Sequence, residues 1–112
     1  MSVKVSIEDF SHFLEEYGST GFLITVGENG FSKVVHVSLI WDTQVLRCTP
    51  GKGTLANLSR STEGGSVTLI FPNPIQGEFS MLVDGRGFVM PENETEIIIE
   101  IEKAVLHRPP LA

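Results

Sequence analysis

The stretch Gly51-Lys52-Gly53-Thr54-Leu55-Ala56-Asn57-Leu58 collects the residue types that grip an anion. Glycines let a backbone approach an oxyanion closely, and a helix starting behind them offers free N–H groups at its positive end. Lys52 adds a full charge and Thr54 a hydroxyl able to donate to a phosphate oxygen, with Thr49 as a second hydroxyl just upstream. The plainer alternative is a surface loop in which Thr54 only caps the helix. A second candidate surface lies on Val34–Trp41. Its odd positions, Val35, Val37, Leu39 and Trp41, make one apolar face, and the other mixes Val34 and Ile40 with His36 and Ser38. Apolar area bearing a few polar groups suits a flat heteroaromatic ligand. The competing reading is a half-exposed face, or a His36 hydrogen-bonded inside the core.

Other chemistries find little support. His12, His36 and His107 are scattered, without a Glu or His at metal-ligand spacing. No serine or cysteine sits in a recognisable nucleophile motif. The single cysteine, Cys48, has no partner for an internal disulfide. Glu92, Glu94, Glu96, Glu100 and Glu102 read as a solvated edge or outer face that opposes sheet-to-sheet aggregation. A net charge of −6 argues against nucleic acid, which demands a basic field, and against anionic membranes. No stretch is long enough to span a bilayer, and Met1–Asp9 holds no apolar leader core, so the cytoplasm is the expected compartment.

The elements that must position these residues are mostly strands. Ser6 heads a helix whose apolar side is Ile7, Phe10, Phe13, Leu14 and Tyr17, with Glu8 and Asp9 near its positive end and Gly18 at its close. Beyond it the period changes to two. Strands are expected at Phe22–Val26, Lys33–Trp41, Val45–Thr49, Ser66–Phe71, Phe79–Met90 and Thr95–Leu106, with a short helix from Thr54 to about Arg60. Pro72 and Pro74 confine their stretch to a loop, and Gly85 and Gly87 permit a bulge or bend in the long fifth strand. Six strands and two small helices predict a mostly β fold, an antiparallel sheet curled into a barrel, with residues 1–112 as one domain. The end, Arg108–Ala112, reads as a surface tail or a clasp on a partner.

In this order the pieces resemble the pyridoxamine 5′-phosphate oxidase-like, FMN-binding split-barrel superfamily. The opening hairpin (Phe22–Gly30, then Val34–Val37), the loop and helix ending in Asn57-Leu58, the strand Val67–Phe71 and the glycine-bearing Met81–Val89 carry the likeness. His107-Arg108-Pro109 is similar to the ending of short bacterial members. The resemblance implies a six-stranded antiparallel Greek-key split barrel, paired as a homodimer with two cofactor sites at the interface. It implies FMN, or in some members a deazaflavin or haem, and in many members oxidoreductase activity. Carried onto this chain, the phosphate would meet Lys52, Thr54 and Thr49 beside the helix of Asn57. The ring would lie along Val35, His36, Val37 and Ser38.

Two departures bear on that carry-over. Ser32 stands where flavin-binding members often have proline, and Thr54 where a basic residue is usual, so only Lys52 restores a cation. Removing one charged group from a phosphate weakens binding by about 1.5–3 kcal/mol. The chain also stops before the segment that grips the pyridoxal substrate, so a true pyridoxamine-phosphate oxidase is not expected. A barrel without flavin that serves as a binding module is the alternative reading. Haem would need an axial ligand, for which His36 and His107 are the candidates.

Overall fold

Ser6, in extended backbone, opens the helix α1 (Ile7–Tyr17), and Gly18 at φ +88° closes it by donating its N–H to the Leu14 carbonyl at 2.9 Å. The Ser6 hydroxyl donates to the Asp9 carboxylate at 3.0 Å and does not cap the helix. Phe10 and Leu14 are buried, with Phe13 and Tyr17 packed beside them, as the 3.6-residue spacing requires; Ile7 stays exposed. The Tyr17 hydroxyl ties the last turn down by donating to the Phe79 carbonyl at 2.7 Å.

The computed structural model describes residues 2–75 and 77–109. The chain runs β1 (Ser2–Val5), α1, β2 (Thr20–Val26), β3 (Ser32–Ser38), β4 (Ile40–Asp42), β5 (Val45–Cys48), α2 (Lys52–Leu58), β6 (Gly65–Phe71), β7 (Ser80–Met90) and β8 (Asn93–His107). The strands form one antiparallel sheet in the order β3-β2-β6-β7-β8-β5-β4, with β1 also paired to β8. The protein is mostly β, as its alternating apolar runs predict, but has eight described strands where six were expected.

One extra strand is β1, four residues without a turn signal that acquire a partner only when the end of β8 arrives beside them. The other comes from a break in the run expected as Lys33–Trp41. At Leu39 the backbone N–H turns to the Ser19 carbonyl, 2.7 Å away, and beyond that bend Ile40–Asp42 pairs with β5. Residues 32–42 therefore border β2 with their first half and β5 with their second. This bent run links the two ends of the sheet covalently, while β3 and β5 are not hydrogen-bonded to each other. The sheet is therefore not closed into the expected barrel.

Leu23, Leu46, Leu69, Phe71, Met81, Val83, Ile97 and Ile99 are fully buried inside the curl. Between β7 and β8 the register slips so that Asp84 faces Lys103 and Gly85 faces Ile101, leaving Glu102 as the extra residue of a bulge. A Cβ at Gly85 would lie 2.4 Å from the Glu100 carbonyl oxygen, so this crossing admits only glycine. The bulge changes the inward parity, and Ala104 follows Ile97 and Ile99 into the core. At one end of the curl α2 inserts Leu58, 2% exposed, against Gly87, whose missing side chain makes the room.

No helix among the described residues is long and apolar enough to cross a membrane. The Arg108 guanidinium lies over the Phe79 ring, 4.9 Å from its centre. Pro110, Leu111 and Ala112, the rest of the expected tail or clasp, lie outside the described residues.

Candidate functional site

Where β3 and β5 stay unpaired lies a cleft of about 420 Å³, lined by His36, Val37, Ser38, Ile40, Arg47, Cys48, Thr49 and Glu96. Its walls follow from the topology. β3 has β2 on one edge and no strand on the other, and the chain leaving β5 passes that open edge before entering α2. Four residues singled out from sequence, His36, Val37, Ser38 and Thr49, thereby meet around one space, although eleven or more positions separate Thr49 from the others. Val37 is buried, whereas His36, Ser38 and Thr49 are exposed. The cleft volume falls in the range of small-molecule sites, roughly 300–1,000 Å³.

Other expected site residues sit elsewhere. Val35 is half-buried on the inward face with Val37 and does not line the cleft. Asn57 donates from Nδ2 to the buried Thr25 hydroxyl at 3.0 Å and fastens α2 to β2. Thr54, the alternative cap of the helix, does not cap it. The helix begins two residues earlier, at Lys52, with Gly51 at φ +102° as its cap. Position 54 is thereby brought onto the same inward side as Leu58, four residues on. Its side chain is 1% exposed, and its Oγ1 has no hydrogen-bond partner among the described residues.

A residue outside the sequence candidates also reaches this turn. Lys33 lies against the start of α2: a Cβ at Gly53 would come within 3.0 Å of its Cε and 3.5 Å of its Nζ. Lys33 and Lys52 are both exposed there, and among the described residues neither has a carboxylate within ion-pair distance. Two cations without an ion-pair partner among the described residues thus stand at the start of α2, and neither lines the cleft itself. The available signal was parity, since Lys33 falls on the odd positions of the apolar stripe Val35-Val37-Leu39-Trp41 and so had to sit at the rim of the inward face.

At the opposite end stands an ion-pair network. The Arg47 Nε donates to Glu96 Oε1 at 2.5 Å and its Nη1 to Asp42 Oδ2 at 2.9 Å. Glu96 first, then Asp42, push the guanidinium pKa upward, and Arg47 in turn, helped by the Thr43 hydroxyl, holds the Asp42 carboxyl below its usual value. Cys48 beside them is buried, and desolvation, with a smaller contribution from the Glu96 charge, raises its thiol to about 11. At pH 8 only about a thousandth of it is thiolate. Native protein is therefore expected to react with Ellman's reagent far more slowly than unfolded protein; equal rates would show that the thiol is accessible and ionised.

The fold is mostly β, one antiparallel sheet that is not closed into the expected barrel, with a ligand-sized cleft where β3 and β5 stay unpaired. Among solved structures it is similar to the FAD binding protein from Mycobacterium smegmatis, with a TM-score of 0.66 over 96% of this chain and 100% of that one, at 12% sequence identity. A likeness at that identity speaks for the fold. No protein-family model and no curated protein matches the chain.

Proposed function

We infer that the protein binds a phosphorylated flavin in the split of its barrel and serves as a flavin-dependent oxidoreductase. The observation that carries this reading is the line of groups along the open edge of β3. His36, Val37, Ser38 and Thr49 line the cleft together with Arg47, while Lys33, at the start of β3, reaches Gly53 in the first turn of α2, which Lys52 begins. Lys33 and Ser38 are five positions apart on an extended strand, about 17 Å. That span accommodates a tricyclic ring and a phosphorylated five-carbon chain. The residues fit such a group: cations without a carboxylate partner among the described residues for the phosphate, exposed apolar Ile40 for the ring face, and hydroxyls and a guanidinium for its polar edge. The bound group would supply the redox chemistry, while the protein supplies position and electrostatics. The fold shared with an FAD-binding protein supports a flavin in general. The choice of FMN follows from the resemblance described above and from the proximity of the cations to a cleft of this size.

The same reading includes a second copy of the chain. The outer face of β2 and β3 exposes Phe22 and Val34, and Ile40 on β4 is 64% exposed. Phe22 already stacks on His36, ring centres 4.8 Å apart. A symmetric pair would cover this apolar face and border the cleft from outside.

The test is the visible spectrum of freshly purified protein, followed by titration with FMN, FAD and a deazaflavin while cofactor fluorescence is recorded. Saturable quenching near one flavin per chain, with a dimer by light scattering, is the expected result. A colourless monomer that ignores all three overturns the reading and favours a barrel serving as a binding module.

A further inference from the structure

We propose that Arg47 binds the electron-rich edge of the cofactor ring and makes the cleft favour the reduced cofactor over the oxidised one; this rests on the flavin reading above. Arg47 is the cationic member of the cleft lining that lies away from the two lysines. Its side chain is 34% exposed, so the guanidinium is partly shielded and still open to the cleft. Two carboxylates from different elements hold it, Asp42 at the end of β4 and Glu96 on β8. They occupy Nε and Nη1, and Nη2 has no protein partner among the described residues. A donor fixed in this way meets its acceptor without further loss of side-chain freedom.

The chemistry of the ring gives the interaction its direction. The pyrimidine edge of an oxidised flavin carries neutral carbonyl acceptors, and two-electron reduction places negative charge along that edge. A charge-assisted hydrogen bond is stronger than a neutral one, so a fixed guanidinium favours the reduced form. Glu96 acts in the opposite direction. It shares the cleft, its side chain is only 17% exposed, and its charge offsets part of that of Arg47.

The two residues therefore predict shifts of opposite sign. In Arg47→Met the affinity for oxidised FMN falls about tenfold and that for reduced FMN about a hundredfold. The tenfold difference moves the midpoint potential of bound FMN about 30 mV lower. In Glu96→Gln the potential moves upward. Both are read by titrating the FMN-loaded protein with dithionite against a reference dye. Melting temperature is recorded alongside, because a merely structural ion pair lowers stability and leaves the potential where it was. If Arg47→Met does not fold, the upward shift in Glu96→Gln decides. Wild-type protein that binds FMN, with both variants at the wild-type potential, overturns the role of Arg47 and leaves the flavin reading intact. Wild-type protein that binds neither FMN nor FAD nor a deazaflavin overturns both.

Discussion

Replacing Lys33 and Lys52 together by alanine is expected to weaken FMN binding by about 10²- to 10⁴-fold, since removing each cation from a phosphate costs about 1.5–3 kcal/mol. Both lysines stand exposed at the start of α2, and Lys33 reaches it by lying across the bare Gly53. Neither is neutralised by a neighbouring carboxylate among the described residues, so their full charge is available to an anion. The rest of the molecule gives an anion little encouragement, with 14 acidic residues against 8 basic ones. Any phosphate affinity must therefore be local. Riboflavin, which lacks the phosphate, makes the comparison specific. Wild-type protein should bind FMN far more tightly than riboflavin, and the double variant should bind the two alike. Equal affinity of the wild type for both ligands would show that this rim does not hold the phosphate. The expected fold-loss also shrinks with salt, because exposed charges are screened.

Phe10→Ala is expected to cost about 3–5 kcal/mol of stability, the range for deleting a large aromatic side chain from a core. Phe10 is fully buried, its ring centre 5.0 Å from that of Trp41 and 6.5 Å from that of Phe71. It packs α1 on the sheet, against aromatic rings from β4 and β6, strands that are not neighbours in the sheet order. The cavity left behind cannot collapse easily, because both neighbours belong to hydrogen-bonded strands. A small domain commonly has 5–15 kcal/mol in total, so the melting temperature should fall by about 10–25 °C. Thermal unfolding followed by circular dichroism measures it, and the fluorescence of the single tryptophan, Trp41, reports the loosened packing. A loss under about 1 kcal/mol would mean that α1 contributes little to the core. Trp41 is also next to Ile40 of the cleft lining, so the same variant should weaken any ligand held there.

How much of this was legible beforehand can be followed residue by residue. α1 was readable because its partners are close in sequence: Phe10 and Leu14 repeat at helical spacing between a serine and a glycine. The two-faced character of β3 was readable for the same reason, since alternation places Val35 and Val37 on one side and His36 and Ser38 on the other. The bulge at Gly85 was signalled by the absence of a side chain, which the Glu100 carbonyl requires. β1 was not readable, because what makes Ser2–Val5 a strand is the end of β8, about a hundred residues away. The break at Leu39 was hidden too. It depends on one hydrogen bond to Ser19, contributed by the chain entering β2.

The candidate site divides along the same line. Sequence alone determined that the chain is mostly β, that a glycine- and lysine-bearing stretch leading into a short helix follows the strand containing Cys48, and that β3 carries polar groups on an otherwise apolar run. These are local properties, set by residue type and by periods of two or a little under four. Tertiary structure alone decided that Thr49 would stand beside His36, that Lys33 would reach Gly53, and that Arg47 would be shared between Asp42 and Glu96. It also turned the Thr54 hydroxyl inward, because the helix starts two residues earlier. The physical reason is that a cleft is made by the approach of segments that are distant in the chain. Which side chains meet there depends on strand register and on the angular phase of a helix, and an offset of one or two residues in either changes the face on which a side chain emerges.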